Sequence, residues 1–129
     1  MLLDTHIWIR WLLNSDPIPT SLKNKIENAN NVYISAISCW EAILLEQKQR
    51  IELPISNEKW LIEATTHSGI SVLPITCDIS YIANMLPEHH KDPADRFIIA
   101  TAIKHDLDII SFDTIFPKYK EIKHRLIHK

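Results

Sequence analysis

The chain has 129 residues, of which 46% are hydrophobic and 23% are charged, and its formal net charge is −2 at pH 7. This length and mixture fit one globular domain, 1–129, with a real core, and no apolar run approaches the roughly 20 residues of a membrane-spanning helix. The slightly negative charge argues against a broadly basic surface for nucleic acid, and the single glycine, Gly69, excludes glycine-rich phosphate-binding loops.

The opening residues and the cysteines bear on where the protein works. The run Met1-Leu2-Leu3-Asp4 lacks the basic segment that precedes the apolar part of a signal peptide, so a cytoplasmic protein is expected. Cys39 and Cys77 form no C-x-x-C pair, and reduced, packed thiols are expected in preference to a disulfide or zinc site. Basic residues are concentrated over 118–125, where a solvated face is favoured over a strip that follows phosphates.

In chain order, short apolar or β-branched runs alternate with stretches whose apolar residues recur on one helical face. The predicted strands cover residues 1–3, 32–35, 71–73 and 108–111, with a last strand expected at 122–127. The predicted helices cover residues 5–13, 20–30, 37–50, 56–67, 76–86 and 92–106, with a short turn or helix at 114–119. Short strands separated by helices predict an α/β fold, with a parallel sheet of four or five strands and helices on both faces.

The helix predicted at 92–106 is the most distinctive element. Asp92 can cap it, Pro93 suits the first helical position, and Asp95 falls at the third position. After Arg96 the sequence is almost wholly apolar, Phe97-Ile98-Ile99-Ala100-Thr101-Ala102-Ile103. This helix is therefore predicted to be buried, with its charged residues where the core meets water.

Four acidic residues are predicted to meet at one edge of the sheet. Asp4 ends the first strand, and Glu41 lies about one turn into the helix that follows the second strand. Asp95 lies in the first turn of the helix at 92–106, and Asp113 follows the fourth strand. Because the carboxyl ends of parallel strands and the amino ends of the connecting helices share an edge, these carboxylates are expected to lie close together.

Each carboxylate by itself also has a structural explanation as a helix cap or a surface residue. Four like charges within a few ångströms repel one another, however, and such a group is stable only with positive charge between its members. Carboxylate oxygens of this kind suit Mg²⁺ or Mn²⁺. The predicted site therefore suits metal-assisted hydrolysis of a phosphodiester bond.

Four segments spread along the chain form a recognisable series. They are M-L-L-D-T-H-I-W, S-A-I-S-C-W-E-A with the later R-I-E-L-P, D-P-A-D-R-F-I-I-A-T-A, and I-I-S-F-D-T-I-F-P-K-Y. In this order they resemble PIN-domain ribonucleases of the VapC toxin type over nearly the whole chain. The resemblance implies a three-layer α/β/α fold, a Mg²⁺- or Mn²⁺-dependent endoribonuclease, a homodimer, and a toxin whose site is masked by a cognate antitoxin protein.

By matching positions, the resemblance assigns catalysis and metal binding to four acids, Asp4, Glu41, Asp95 and Asp113. An ion is expected on Asp4 and Asp95, while Glu41 and Asp113 would bind a second ion or the waters of the first. The candidates for supporting roles around the acids are four further residues, Ser35, Ser38, Asp92 and Ser111. Ser35 and Ser38 also have a purely structural explanation, as a serine at a strand end and a serine in the first turn of a helix. Asp92 is the weaker acid, because in the family pattern the acid directly before arginine is the central one. Arg96 is expected to contact RNA phosphate, or to pair with Asp92 or Glu41.

Two positions depart from the family pattern. Gln49 stands where glycine is common before R-I-E-L-P, and Ser111 stands where threonine is common. The first change alters a helix end but no acid. The second keeps a hydroxyl that can hold a carboxylate or a water, so neither change predicts an inactive site.

The histidines and tryptophans are less informative. His6 is expected to be packed, and the His89-His90 pair has no partner at zinc-ligand spacing. Trp8, Trp11 and Trp40 are expected in the core or on a dimer surface, with RNA stacking as the less favoured role.

Three other functions fit the sequence less well. A phosphatase-like hydrolase of the haloacid dehalogenase class would use Asp4, but the second aspartate that it needs two residues later is replaced by His6. A phospho-receiver domain needs a lysine near the end of a late strand, where Ser111-Phe112 stands. The non-enzymatic alternative is an α/β docking module whose acids serve only as helix caps.

Overall fold

The computed structural model describes residues 1–14, 17–66, 69–90 and 92–127. The strands are β1 (Leu2–Leu3), β2 (Val32–Ser35), β3 (Ile70–Leu73), β4 (Ile109–Ile110) and β5 (Leu126–Ile127). The α-helices are α1 (Thr5–Leu13), α2 (Thr20–Asn28), α3 (Ala36–Gln47), α4 (Asn57–Thr66), α5 (Cys77–Met85) and α6 (Pro93–His105). Two short 3₁₀ helices cover Phe116–Lys118 and Lys123–Arg125.

All strand pairs are parallel, and the sheet order is β3-β2-β1-β4-β5. Alternate residues of the strands point to opposite faces. Leu3 and Ile110 pack with helices α1 to α4 on one face, whereas Leu2 and Ile109 pack with α6 and the first 3₁₀ helix on the other. Helix α5 packs on α6 through Ile79. The fold is therefore the three-layer α/β/α arrangement that the sequence predicted, with a five-stranded parallel sheet.

The carboxyl-terminal strand is shorter than predicted. Residues 122–127 were expected to be extended, but only Leu126–Ile127 form a strand. Ile122 is fully buried with a ψ of 1°, and the backbone N–H of Arg125 donates to its carbonyl at 2.8 Å. The need to bury Ile122 closes a 3₁₀ turn there, which an apolar pattern alone does not reveal.

The helices lie close to their predicted bounds. Helix α6 is buried along most of its length, as predicted, with Asp92 accepting the N–H of Ala94 and Pro93 at its start. The predicted end of the fourth helix at residue 67 lies outside the described residues. Cys39 is half-buried, but Cys77 is exposed at the start of α5, so the expectation of a packed thiol there is wrong. Among the described helices, none combines the length and the apolar character needed to cross a membrane.

Helix α3 ends in a turn with the left-handed backbone that glycine favours. Gln49 has a φ of 59° and donates its N–H to the carbonyl of Glu46, while Arg50 donates to the carbonyl of Leu45. These two bonds form a Schellman motif, in which the left-handed position is usually glycine. The left-handed backbone at position 49 thus explains why glycine is common there in the family.

We expect Gln49→Gly to raise the free energy of unfolding by about 0.5–1 kcal/mol, because glycine adopts a positive φ without steric cost. Urea denaturation of the purified protein measures the change. Gln47→Gly is the matched control, since Gln47 is an exposed residue of the last helical turn. That control should lose about 1 kcal/mol, and an equal loss in Gln49→Gly would contradict the prediction.

Candidate metal centre

The four acids predicted to converge lie at the carboxyl edge of the sheet. Asp4 directly follows β1 and precedes α1, and its N–H donates to the carbonyl of Ile110 at 3.0 Å, which holds it beside β4. Asp95 is in the first turn of α6, and Asp113 follows β4. Glu41 lies in α3, which begins where β2 ends.

Three of these acids are almost completely buried. Asp4 is 2%, Glu41 8% and Asp95 7% exposed, while Asp113 is half-buried. Buried carboxylates are rare unless they are paired, hydrogen-bonded or bound to a cation. Their burial therefore separates them from the surface residues and simple helix caps that were the competing explanation.

The distances between possible donor atoms divide the site into two groups that share Asp95. Glu41, Asp92 and Asp95 each offer an oxygen within 4.8 Å of the others. In the second group, a ring nitrogen of His90 and one oxygen each of Asp95 and Asp113 also lie within 4.8 Å of one another. Asp95 thus stands at the centre of the site, and Asp92 contributes an oxygen as well as capping α6.

Ser111 connects Asp4 with Asp113. Its hydroxyl donates to Asp4 Oδ2 at 2.7 Å and accepts the backbone N–H of Asp113 at 3.0 Å. The side chain of Asp113 in turn accepts the N–H of Ile115 through Oδ1 at 2.7 Å. This chain of bonds holds both carboxylates in place, so the predicted supporting position of Ser111 matches the geometry.

The two serines near Glu41 support it through different contacts. Ser38 shares a 2.7 Å hydrogen bond with the hydroxyl of Thr5, and Thr5 in turn hydrogen-bonds the Glu41 side chain. Ser35 caps α3 by accepting the N–H of Ile37 at 3.2 Å. Ser38 therefore reaches Glu41 through Thr5, a residue that sequence reasoning missed, whereas Ser35 positions the helix that carries it.

Two carboxylate oxygens in the site have no hydrogen-bond partner among the described residues. They are Asp4 Oδ1 and Glu41 Oε1, and both are inaccessible to solvent. An unsatisfied buried oxygen of a charged group costs more than a neutral one. A cation bound by these oxygens would remove that cost, so the donor set fits a divalent metal ion.

Burial and mutual repulsion raise the pKa values of the buried acids. The pKa of Asp95 is raised to about 8, first by burial and then by the charges of Asp4, Asp92, Glu41 and Asp113. Burial also raises the pKa of Asp4, although the Ser111 hydroxyl opposes this shift. Burial is also the main cause of the raised pKa of Glu41, and the hydrogen bond from Thr5 opposes this shift. Without a cation, these acids resist ionising together.

Arg96 faces the end of helix α5. Its guanidinium donates to the carbonyls of Ala83 and Leu86 at 2.8 Å and to that of Pro87 at 3.0 Å. It forms no ion pair with Asp92 or Glu41 among the described residues, so that part of the expectation is wrong. These bonds satisfy carbonyls that the helix leaves unpaired, which is a structural role. Contact with RNA phosphate stays a prediction.

His90 is a second residue that sequence reasoning missed. Its Nε2 lies 2.8 Å from Oδ2 of Asp95 and 2.8 Å from Oδ2 of Asp113. The only available signal was its place three residues before α6, at the edge where the acids meet. His6, by contrast, is exposed and not packed as expected, although its charge lowers the pKa values of Asp4 and Glu41.

The three tryptophans that were expected in the core or at an interface differ in burial. Trp8 is fully buried against Trp60, with 5.4 Å between ring centroids. Trp11 is half-buried, whereas Trp40 is 58% exposed. Trp40 lies beside the acidic site, in a pocket of about 260 Å³ whose lining includes Ile37 and Asp92.

Comparison with known proteins agrees with this geometry. The PIN domain family model matches residues 1–122. The protein named Ribonuclease VapC22 from Mycobacterium tuberculosis is 32% identical over 114 residues, which is 88% of this chain and 86% of that protein.

Solved structures share the fold. A toxin-antitoxin complex from Klebsiella pneumoniae matches with a TM-score of 0.67 at 21% identity, covering 98% of this chain and 95% of that chain. VapBC2 from Rickettsia felis, bound to a promoter DNA fragment, matches with a TM-score of 0.67 at 16% identity, covering 98% of this chain and 96% of that chain. With a family model that spans nearly its whole length and a relative above 30% identity, the chain belongs to the PIN domain family and is similar to its VapC-type members.

Proposed function

We propose that this protein is an endoribonuclease that uses Mg²⁺ or Mn²⁺, and that it is the toxin of a toxin–antitoxin pair. The observation that carries the proposal is the convergence of Asp4, Glu41 and Asp95, all buried, around oxygens that lack partners. The VapC22 relative is named a ribonuclease, and the neighbouring structures include toxin-antitoxin complexes. Both names support extending the same chemistry and partnership to this chain.

The residues present would hold the metal in a defined way. Asp4 and Asp95 would be the ligands of one ion. Glu41 and Asp113, which lie in different groups around Asp95, would each bind an ion or its waters on their own side. A divalent ion bound there lowers the pKa of a coordinated water and neutralises charge on the scissile phosphate. Hydrolysis of a phosphodiester needs both effects.

The protein's own groups prepare the site for that ion. The Ser111 hydroxyl orients Asp4 through Oδ2, which leaves Oδ1 free as a ligand. The Thr5–Ser38 pair orients Glu41, so its unpartnered oxygen is fixed in direction. Holding ligands in place before binding avoids the entropy cost of ordering them afterwards.

Residues around the acids are suited to RNA. The exposed ring of Trp40 beside Asp92 offers a surface on which an unpaired base can stack. Lys118, Lys120 and Lys123 are exposed near the carboxyl end and can approach phosphates. The cognate antitoxin and a second copy of this chain are the proposed protein partners.

Cleavage of single-stranded RNA by the purified protein tests this proposal. With Mn²⁺ or Mg²⁺ we expect internal cuts resolved on a denaturing gel, and with EDTA we expect none. Added Mn²⁺ should also raise the midpoint temperature of unfolding by mass action, since the ion binds the folded chain. A protein that neither cuts RNA nor gains stability from the ion would instead be a docking module whose acids are caps.

A further inference from the structure

His90 is held firmly at the acidic site. Its backbone N–H donates to the hydroxyl of Tyr119 at 2.8 Å, and its ring packs edge-on against Phe116. Its carbonyl also accepts a long bond from Arg96. The ring is therefore fixed by residues far along the chain, with Nε2 pointing between two carboxylates.

Two of the three distances among the donor atoms match those between neighbouring ligands on one ion. Nε2 is 2.8 Å from an oxygen of Asp95 and from an oxygen of Asp113. Adjacent ligands of an octahedral ion with bonds of about 2.1 Å lie about 3.0 Å apart. The backbone N–H of Asp92 donates a long hydrogen bond, 3.4 Å between nitrogens, to the other ring nitrogen, Nδ1. This bond is weak at that length, so the ring proton can move to Nδ1 and leave the lone pair of Nε2 to a cation.

We propose that His90 is a direct ligand of the metal ion between Asp95 and Asp113, and that its nitrogen makes this position prefer Mn²⁺ to Mg²⁺. Mg²⁺ favours oxygen ligands, whereas imidazole is a ligand of transition-metal ions. The inference rests on the proposed function, because it concerns the same metal site. It adds a nitrogen ligand to a site that the four acids alone would make purely oxygen-based.

A second observation supports an ion at this position. Asp4 Oδ1 is buried without a partner, and Ser111 ties Asp4 to the backbone of Asp113. The unsatisfied carboxylate oxygen therefore belongs to a residue that Ser111 ties to one member of the group formed by His90, Asp95 and Asp113. The group of Glu41, Asp92 and Asp95 offers only oxygens, so the two sides of the site differ in the ion that they favour.

Pulsed electron paramagnetic resonance of Mn²⁺ bound to the full chain tests the ligand directly. Protein stripped with EDTA receives one equivalent of Mn²⁺, and the echo modulation from a coordinated ¹⁴N nucleus is recorded. We expect this modulation in the wild type and its loss in His90→Gln. His6→Gln is the matched control, because His6 is an exposed histidine whose charge also reaches the site, and it should keep the modulation.

Metal affinities give an independent readout. In His90→Gln the dissociation constant for Mn²⁺ should rise roughly 10- to 100-fold, the range seen when a partner of a metal ligand is removed. The constant for Mg²⁺ should rise less, so the preference for Mn²⁺ falls. If the variant does not fold, wild-type protein labelled with ¹⁵N-histidine replaces it, and its modulation must change to the ¹⁵N pattern.

The outcomes separate this inference from the proposed function. Mn²⁺ bound through oxygens alone by a wild type that still cuts RNA would overturn the histidine ligand and leave the nuclease in place. Nitrogen modulation that persists in His90→Gln, or an unchanged preference between the two ions, would also overturn it. A wild type that binds no divalent ion would overturn both proposals.

Discussion

Asp95→Asn is expected to reduce metal-dependent RNA cleavage at least about 10³-fold, which corresponds to about 4 kcal/mol of lost transition-state stabilisation. Asp95 contributes an oxygen to both groups of candidate ligands, so its replacement should weaken metal binding on both sides of the site. Cleavage rates at saturating Mn²⁺, compared with the wild type, measure the loss.

The fold of this variant should persist and gain stability without metal, because one of the repelling charges is removed. Asp78→Asn is the matched control. Asp78 is also an aspartate in the first turn of a helix, but it is exposed and pairs with Lys104 at 3.0 Å on the surface. This control should cleave at the wild-type rate, and unchanged cleavage by Asp95→Asn would refute the assignment of Asp95 as a ligand.

Without metal, the free energy of unfolding is expected to fall as the pH rises from about 4 to 8. The pKa of Asp95 is raised to about 8 in the folded chain, from its ordinary value of 3.8. A carboxyl group whose pKa is raised on folding contributes stability that is fully present below its pKa in the unfolded chain. That stability is lost as the pH rises through its pKa in the folded chain. The raised pKa values of Asp4 and Glu41 act in the same direction.

The size of this loss is expected to be a few kcal/mol, since each pKa unit is worth about 1.36 kcal/mol. Urea denaturation in EDTA across the pH range measures it, and Asp95→Asn should flatten the curve.

Added Mn²⁺ should oppose the loss, because the ionised carboxylates are the form that binds the ion. At 100 times its dissociation constant, the ion contributes about 2.7 kcal/mol of stability. A wild type whose stability is independent of pH in EDTA and unaffected by Mn²⁺ would contradict both the raised pKa values and the metal site.

The sequence by itself determined the elements and their order, because these depend on local properties. Asp92 and Pro93 start α6 as predicted, and the apolar run after Arg96 buries it. Once short parallel strands alternate with helices, topology brings the end of β1, the start of α6 and the end of β4 to one edge. The proximity of Asp4, Asp95 and Asp113 could therefore be predicted without coordinates.

Only the tertiary structure decided what surrounds each acid. The Ser111–Asp4 bond joins residues 107 positions apart, and the Tyr119 hydroxyl that holds His90 is 29 positions from it. No local pattern reports such contacts, because they exist only after the chain has packed. The same reason explains why Arg96, for which pairing with Asp92 or Glu41 was one of two expected roles, instead binds the carbonyls that end α5. Packing also decided that Trp8 is buried and Trp40 exposed, although both occur in segments with similar helical patterns.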